Sequence, residues 1–160
     1  MTDETTPTPP DASMVDALRE AGGLKLRATD AEDLAALSAL LQDALVPAGD
    51  LRPDPGNKRF LGVLNRYRWE TPKRERGLCA LRIDQVLRVR TRGFDPADPE
   101  QLLSLLAIRT AEPDGAPAAL ELTFSAGAAV RLEVEAIAVF AEDLSEAYPT
   151  LFKPRHADEA

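Results

Sequence analysis

Leu34, Leu37, Leu41 and Leu45 recur at spacings of three and four, and Leu40 widens the stripe. That period predicts an amphipathic helix, preceded by a short strand at "LKLRA". Thr29 and Glu32 have the spacing of a capping box. Asp30 and Asp33 suit the positive end of the helix dipole, and Pro47 is expected to end the helix. Beyond it the period becomes two. "RFLGVLNRYRW" sets Leu61, Val63, Tyr67 and Trp69 on one face, and "GLCALRID" sets Cys79, Leu81 and Ile83 together. "VLRVRTRG" opposes Leu87 and Val89 to Arg88, Arg90 and Arg92. "LLSLLAIRT" is apolar throughout, as a central strand would be. "ALELTF" and "AVRLEVEA" alternate again, with Leu120, Leu122 and Phe124 on one side and Val130, Leu132 and Val134 on one side. Strands with one wet face belong to antiparallel sheets.

The connections fit short turns. "SAGA" at 125–128 is a hairpin turn with Gly127 free to take a positive φ, and "EPDGAP" at 112–117 is a second turn. In "FDPADPEQ", Asp98 and Pro99 could open a short helical turn. Ile137, Phe140, Leu144 and Tyr148 form a second helical stripe, stopped by Pro149. The expected fold is α+β. It is a strongly bent antiparallel sheet or partly open barrel of six or seven strands, with an N-terminal and a C-terminal helix. That order is reminiscent of the pleckstrin-homology-like barrel, a likeness of fold that carries no function. The expected organisation is an acidic Pro/Thr-rich tail over 1–22, one globular domain over 23–150, and a loose tail over 151–160.

Charge changes the picture. The formal net charge is −8, yet residues 58–92 hold eleven Lys and Arg against three acids, a net +8 that leaves −16 for the rest. The candidate binding residues for an anionic ligand or a partner are Arg66, Arg68, Arg88, Arg90 and Arg92. Alternate residues of a strand share a face about 7 Å apart, so Arg88, Arg90 and Arg92 project together. Two readings compete. One is a solvated sheet face whose arginines pair across strands with Glu121, Glu133 and Glu135. The other is a positive patch for phosphate, RNA or an acidic protein. The interleaved aromatics are too sparse, and on the wrong side, for a base-stacking platform.

Other chemistry is poorly supplied. One cysteine, Cys79, excludes an intrachain disulfide and suits a reducing cytoplasm. With His156 as the only histidine, a Cys/His zinc site cannot be built. Cys79 reads as a buried, inert thiol, and "FSAG" around Ser125 lacks the first glycine of a nucleophile elbow. There is no phosphate-binding glycine loop. The N-terminus has no apolar run of a secretory signal, and no stretch approaches the roughly 20 apolar residues that span a bilayer. No catalytic residue, metal site or cofactor is therefore expected.

The segments "LKLRATDAEDLAALSALLQDALV", "RFLGVLNRYRWE", "VLRVRTRG", "LLSLLAIR", "LELTFSAGAAVRLEVEAI" and the closing "PRH" together resemble a family of small alphaproteobacterial proteins, domain of unknown function 2948. The resemblance spans roughly residues 24–156. It implies a bacterial cytoplasmic protein and supplies no activity, cofactor or site residue. The expected function is a small non-catalytic interaction domain that binds a protein partner or anionic ligand through the basic sheet face. The first alternative is an enzyme or small-ligand binder with Asp50, Arg66, Asp84 and Arg88 converging in a barrel mouth. RNA binding by the basic face is a further alternative. An exposed strand edge would also suit a homodimer, and no membrane insertion is expected.

Overall fold

The computed structural model describes residues 23–111, 119–145, 147–150 and 153–154. The turn expected at 112–117, both tails but for residues 153–154, and His156 lie outside the described residues. Among the described residues eleven strands form one sheet: β1 (Lys25–Ala28), β2 (Leu45–Pro47), β3 (Leu51–Asp54), β4 (Arg59–Tyr67), β5 (Glu75–Ile83), β6 (Val86–Arg92), β7 (Leu102–Thr110), β8 (Ala119–Phe124), β9 (Ala129–Val134), β10 (Val139–Asp143) and β11 (Tyr148–Pro149). One helix, α1 (Ala31–Leu41), follows β1. The strand order is β1-β10-β5-β4-β2-β7-β8-β9-β6, with β3 also on β4 and β11 also on β5. Every pairing is antiparallel.

The sheet is open, and it is sharply bent. β6 lies five strands from β4 along the order. At about 4.8 Å per strand a flat sheet would hold them roughly 24 Å apart. Instead the Val86 amide donates to the Lys58 carbonyl at 2.8 Å, so the β6 end curls back to the start of β4. The inner faces and α1 then share one core. It includes Leu34, Leu37, Leu40 and Leu41 from the helix, Phe60 and Leu64 from β4, and Cys79, Leu81 and Ile83 from β5. Leu120, Leu122, Val130, Leu132 and Val134 complete it from the far half. Among the described residues no helix is long and apolar enough to cross a membrane.

Several sequence expectations are corrected. The cap of α1 is Asp30, whose carboxylate accepts from the Asp33 amide at 2.8 Å. Thr29 is one residue too early for that role. The helix ends at Leu41 rather than at Pro47. Asp43 turns into the left-handed region at φ 62°, its amide donates to the Leu105 carbonyl, and Leu105 donates back to Ala44. Leu45 is thereby drawn into β2 by pairing with β7, which no local signal announces. The second helical stripe is strand instead: Val139–Asp143 fills the gap between β1 and β5, and Tyr148–Pro149 pairs with β5. Leu144 and Tyr148 are exposed. With one helix among the described residues and an open sheet, the likeness to a pleckstrin-homology barrel is not carried further. The additional strands are mostly two to four residues long, too short to show an alternation.

β4 adopts the opposite phase from the expected one. Phe60, Gly62, Leu64 and Arg66 face inward, while Leu61 and Val63 are exposed. β7 also has a wet side, with Leu102 and Leu106 exposed. On β6 an irregularity between Val86 and Arg88 turns Leu87 out to solvent. The phases expected for β5, β8 and β9 are those observed.

Candidate functional site

The outer face of β6, β9, β8 and β7 carries a row of charges set by strand register. Arg90 lies directly opposite Arg131, Arg131 opposite Glu121, and Glu121 opposite Arg109. Arg88 and Arg92 flank Arg90 on the same strand, at the far end of the sheet. Like charges directly opposite each other oppose folding. Cross-strand neutralisation of this face is partial. Glu135 pairs with Lys58 at 3.0 Å and Glu121 lies 3.9 Å from Arg109. Glu133 is opposite Arg88, yet among the described residues Arg88, Arg90 and Arg92 form no ion pair. Arg131 donates to the Ala111 carbonyl at 3.3 Å, so it leans away from Arg90. Between them lies a concavity of about 250 Å³, lined by Arg90, Thr91, Arg92, Glu121, Ala129 and Arg131. Arg131 was missed in the sequence because only the β6–β9 register places it beside Arg90.

Arg66 and Arg68 do not belong to this face. Arg66 is 0% exposed. Its Nε and Nη2 donate to both carboxylate oxygens of Asp143 at 3.0 and 2.9 Å, and Nη1 and Nη2 donate to both oxygens of Glu70 at 2.8 and 2.7 Å. Asp143 also accepts from the Leu24 amide at 2.8 Å and lies 3.5 Å from Arg68. Burial alone would make the Arg66 guanidinium easier to deprotonate, but the bonds to Glu70 and Asp143 outweigh it and hold the charge. Burial likewise favours a protonated Asp143. The Arg66 bonds and charge, the Leu24 amide and Arg68 prevail, and hold this carboxyl below its ordinary value. With both acids engaged, the cluster is a clamp joining β4, the turn after it, β10 and the entry to β1. Glu70 and Asp143 signalled nothing in the sequence because they are 73 residues apart along the chain.

The remaining candidates are placed apart. Asp84 sits between Arg59 and Arg82, at 3.1 and 3.2 Å. Asp50 is exposed at the end of a short turn. Arg66 is sealed inside and Arg88 points outward, so the four residues imagined at a barrel mouth do not converge. Cys79 is fully buried, and burial pushes its thiol up to about 12, with Asp143 and Glu70 adding to the effect of burial and Arg66 opposing it. Ser125 lies in a tight turn with Ala126 and Gly127 at φ 61° and 79°. Asp98 accepts from the Glu100 amide and makes a turn, without a helix. Among the described residues no group of three His, Cys, Asp or Glu side chains could hold a metal ion.

The pattern of one protein family, described as protein of unknown function (DUF2948), matches residues 24–156. No curated protein and no solved structure matches the chain.

Proposed function

The chain belongs to the DUF2948 family, and we propose that its folded part is a non-catalytic interaction domain that binds an acidic protein segment through the outer face of β6 and β9. The observation that carries this reading is Arg90 directly opposite Arg131, flanked by Arg88 and Arg92 on the same strand. A face meant only for water would gain from alternating signs. This one sets two arginines opposite each other on a terminal strand, where an added strand can hydrogen-bond to the backbone. Acids at alternate positions of that strand would meet Arg88, Arg90 and Arg92. The face contributes no aromatic ring, which weighs against RNA, since single-stranded RNA readers stack bases.

The test is binding of a labelled peptide with Glu at every second position, beside an RNA oligonucleotide of equal charge. The variant Arg88→Glu, Arg90→Glu, Arg92→Glu is measured alongside. Peptide binding that weakens with salt and vanishes in the variant is expected. RNA bound more tightly than peptide would replace this reading with the RNA one. A folded wild type that binds neither would make the face a solvated surface.

A second reading rests on another patch of the same outer face. Leu61 and Val63 on β4, Leu78 on β5, Leu144 after β10 and Tyr148 on β11 are all exposed, Leu78 by 43% and Leu144 by 56%. They are contiguous: Leu78 lies opposite Asn65, the Leu144 amide donates to the Leu78 carbonyl, and Asn65 bonds the Tyr148 hydroxyl. Exposed apolar residues gathered on one face favour an interaction there. A second copy packed back to back would bury it in a symmetric homodimer.

A further inference from the structure

The concavity on the outer face of β6 and β9 has a more selective chemistry than a row of single charges. Its shape follows from register. Arg92 lies opposite Ala129, whose methyl group leaves the space beside it open. Arg90 lies opposite Arg131. Residues directly opposite on antiparallel strands have Cβ atoms about 5 Å apart, so these two long side chains start side by side. Arg90, Arg92 and Arg131 thus bring three guanidinium groups to one concavity of about 250 Å³. Glu121 also lines it. That acid stands between Arg131 and Arg109 in register and lies 3.9 Å from Arg109, so its charge is shared with the side of the row away from Arg90.

A single arginine satisfies a carboxylate, since two parallel N–H groups meet two oxygens and one charge meets one charge. For such a ligand a second arginine set against the first adds little, and it costs repulsion while the site is empty. A phosphate monoester differs on both counts. It carries about two negative charges at pH 7 and three strong acceptor oxygens. Two opposed guanidinium groups match that charge, and their planar forks reach different oxygens. Arg131 stays able to do this. Its bond to the Ala111 carbonyl engages Nη2 alone, at 3.3 Å, and a guanidinium has five N–H donors.

We infer that this concavity binds the phosphate group of a phosphorylated serine or threonine within the acidic segment, held between Arg90 and Arg131 with Arg92 at its edge. The inference rests on the basic-face reading and specifies its ligand. A strand added to β6 stands two strand spacings, about 10 Å, from β9. The side chains of a phosphoserine on that strand and of Arg131, reaching towards each other above β6, cover the distance. A structural role for Arg131, holding the Ala111 carbonyl at the end of β7, accounts for its lean. It does not account for an arginine at the position opposite, where most residue types would serve without repulsion.

The test uses the full chain and one labelled peptide with Glu at alternate positions, made in four forms. They differ only at the central residue, which is phosphoserine, O-sulfoserine, glutamate or serine. O-Sulfoserine keeps the tetrahedral shape with a single charge. The phosphoserine form is expected to bind about tenfold or more tightly than each of the others. Arg131→Gln is expected to bring it within roughly threefold of the glutamate form. Arg90→Gln, at an exposed position, is expected to do the same, so the result does not hang on the folding of one variant. Inorganic phosphate at the peptide's own concentration is expected to displace none of it. Equal binding of the phosphoserine and glutamate forms overturns the inference and leaves the basic-face reading standing, whereas no binding of any form removes both. The inference also falls if O-sulfoserine binds as well as phosphoserine, or if the preference survives both arginine changes. Displacement by an equal concentration of inorganic phosphate overturns it too, by assigning the site to the free ion.

Discussion

Arg66 is a full charge inside the core of a small domain, and it is tolerated because four hydrogen bonds to two carboxylates replace its water. Removing one member of such a cluster leaves buried charge without its partner, at a cost of about 3–5 kcal/mol. Arg66→Met is therefore expected to lower stability by that amount, read as a fall in the urea midpoint. The carboxyl of Asp143 is held below its ordinary value. Its stabilisation is thus complete above the unfolded-state value of about 3.9 and is lost as pH falls through the lower folded value. The stability gap between wild type and Asp143→Asn should be widest near neutrality and should narrow below about pH 4. Urea titrations across pH 7 to 2, a range chosen to bracket carboxylate titration, check it; a gap that stays constant would remove Asp143's charge from the account. Cys79, pushed up to about 12 by burial, should resist a thiol reagent at pH 8 in the native protein and react at once in denaturant.

At the scale of the element, β6 shows stability and binding pulling in opposite directions. Arg90→Glu places an acid opposite Arg131. The variant is expected to be more stable by about 0.2–1 kcal/mol while binding the acidic peptide less well. A loss of stability instead would mean that the Arg90–Arg131 juxtaposition costs nothing as it stands. The strand is also closed off by a glycine that cannot be replaced. Gly93 has φ 78°, and a Cβ there would lie 2.6 Å from the Gly127 carbonyl oxygen and 2.8 Å from the Ala128 Cα. Both contacts are with backbone, so Gly93→Ala should cost at least about 1–3 kcal/mol by thermal or urea unfolding.

For the whole molecule, the outer surface of one bent sheet carries a basic patch on β6–β9 and, apart from it, an apolar patch of Leu61, Val63 and Leu78 on β4 and β5. That separation predicts two separable behaviours. Val63→Lys with Leu78→Lys is expected to abolish concentration-dependent association in sedimentation, while leaving peptide binding by the basic patch unchanged. The reverse is expected for the β6 arginine variants. A wild type that remains monomeric at high concentration would dismiss the second copy as the occupant of the apolar patch.

The amino-acid sequence by itself determined those features whose cause is local. The α1 stripe, the inward phases of β5, β8 and β9, and the turn at Ser125–Gly127 follow from side-chain period and turn chemistry, which act over a few residues. The concentration of arginines between residues 58 and 92 and the poverty of catalytic groups were equally open to reading. Tertiary structure decided the rest. In β4 both phases carry apolar residues, and the choice fell to the one that lets Arg66 meet Glu70 and Asp143. Within the helical stripe of residues 137–148, Val139–Asp143 became strand because the gap between β1 and β5 offered backbone hydrogen bonds along that length. Arg131 became the neighbour of Arg90 through a pairing between segments dozens of residues apart. Such contacts depend on which strands lie side by side, and no local period encodes that.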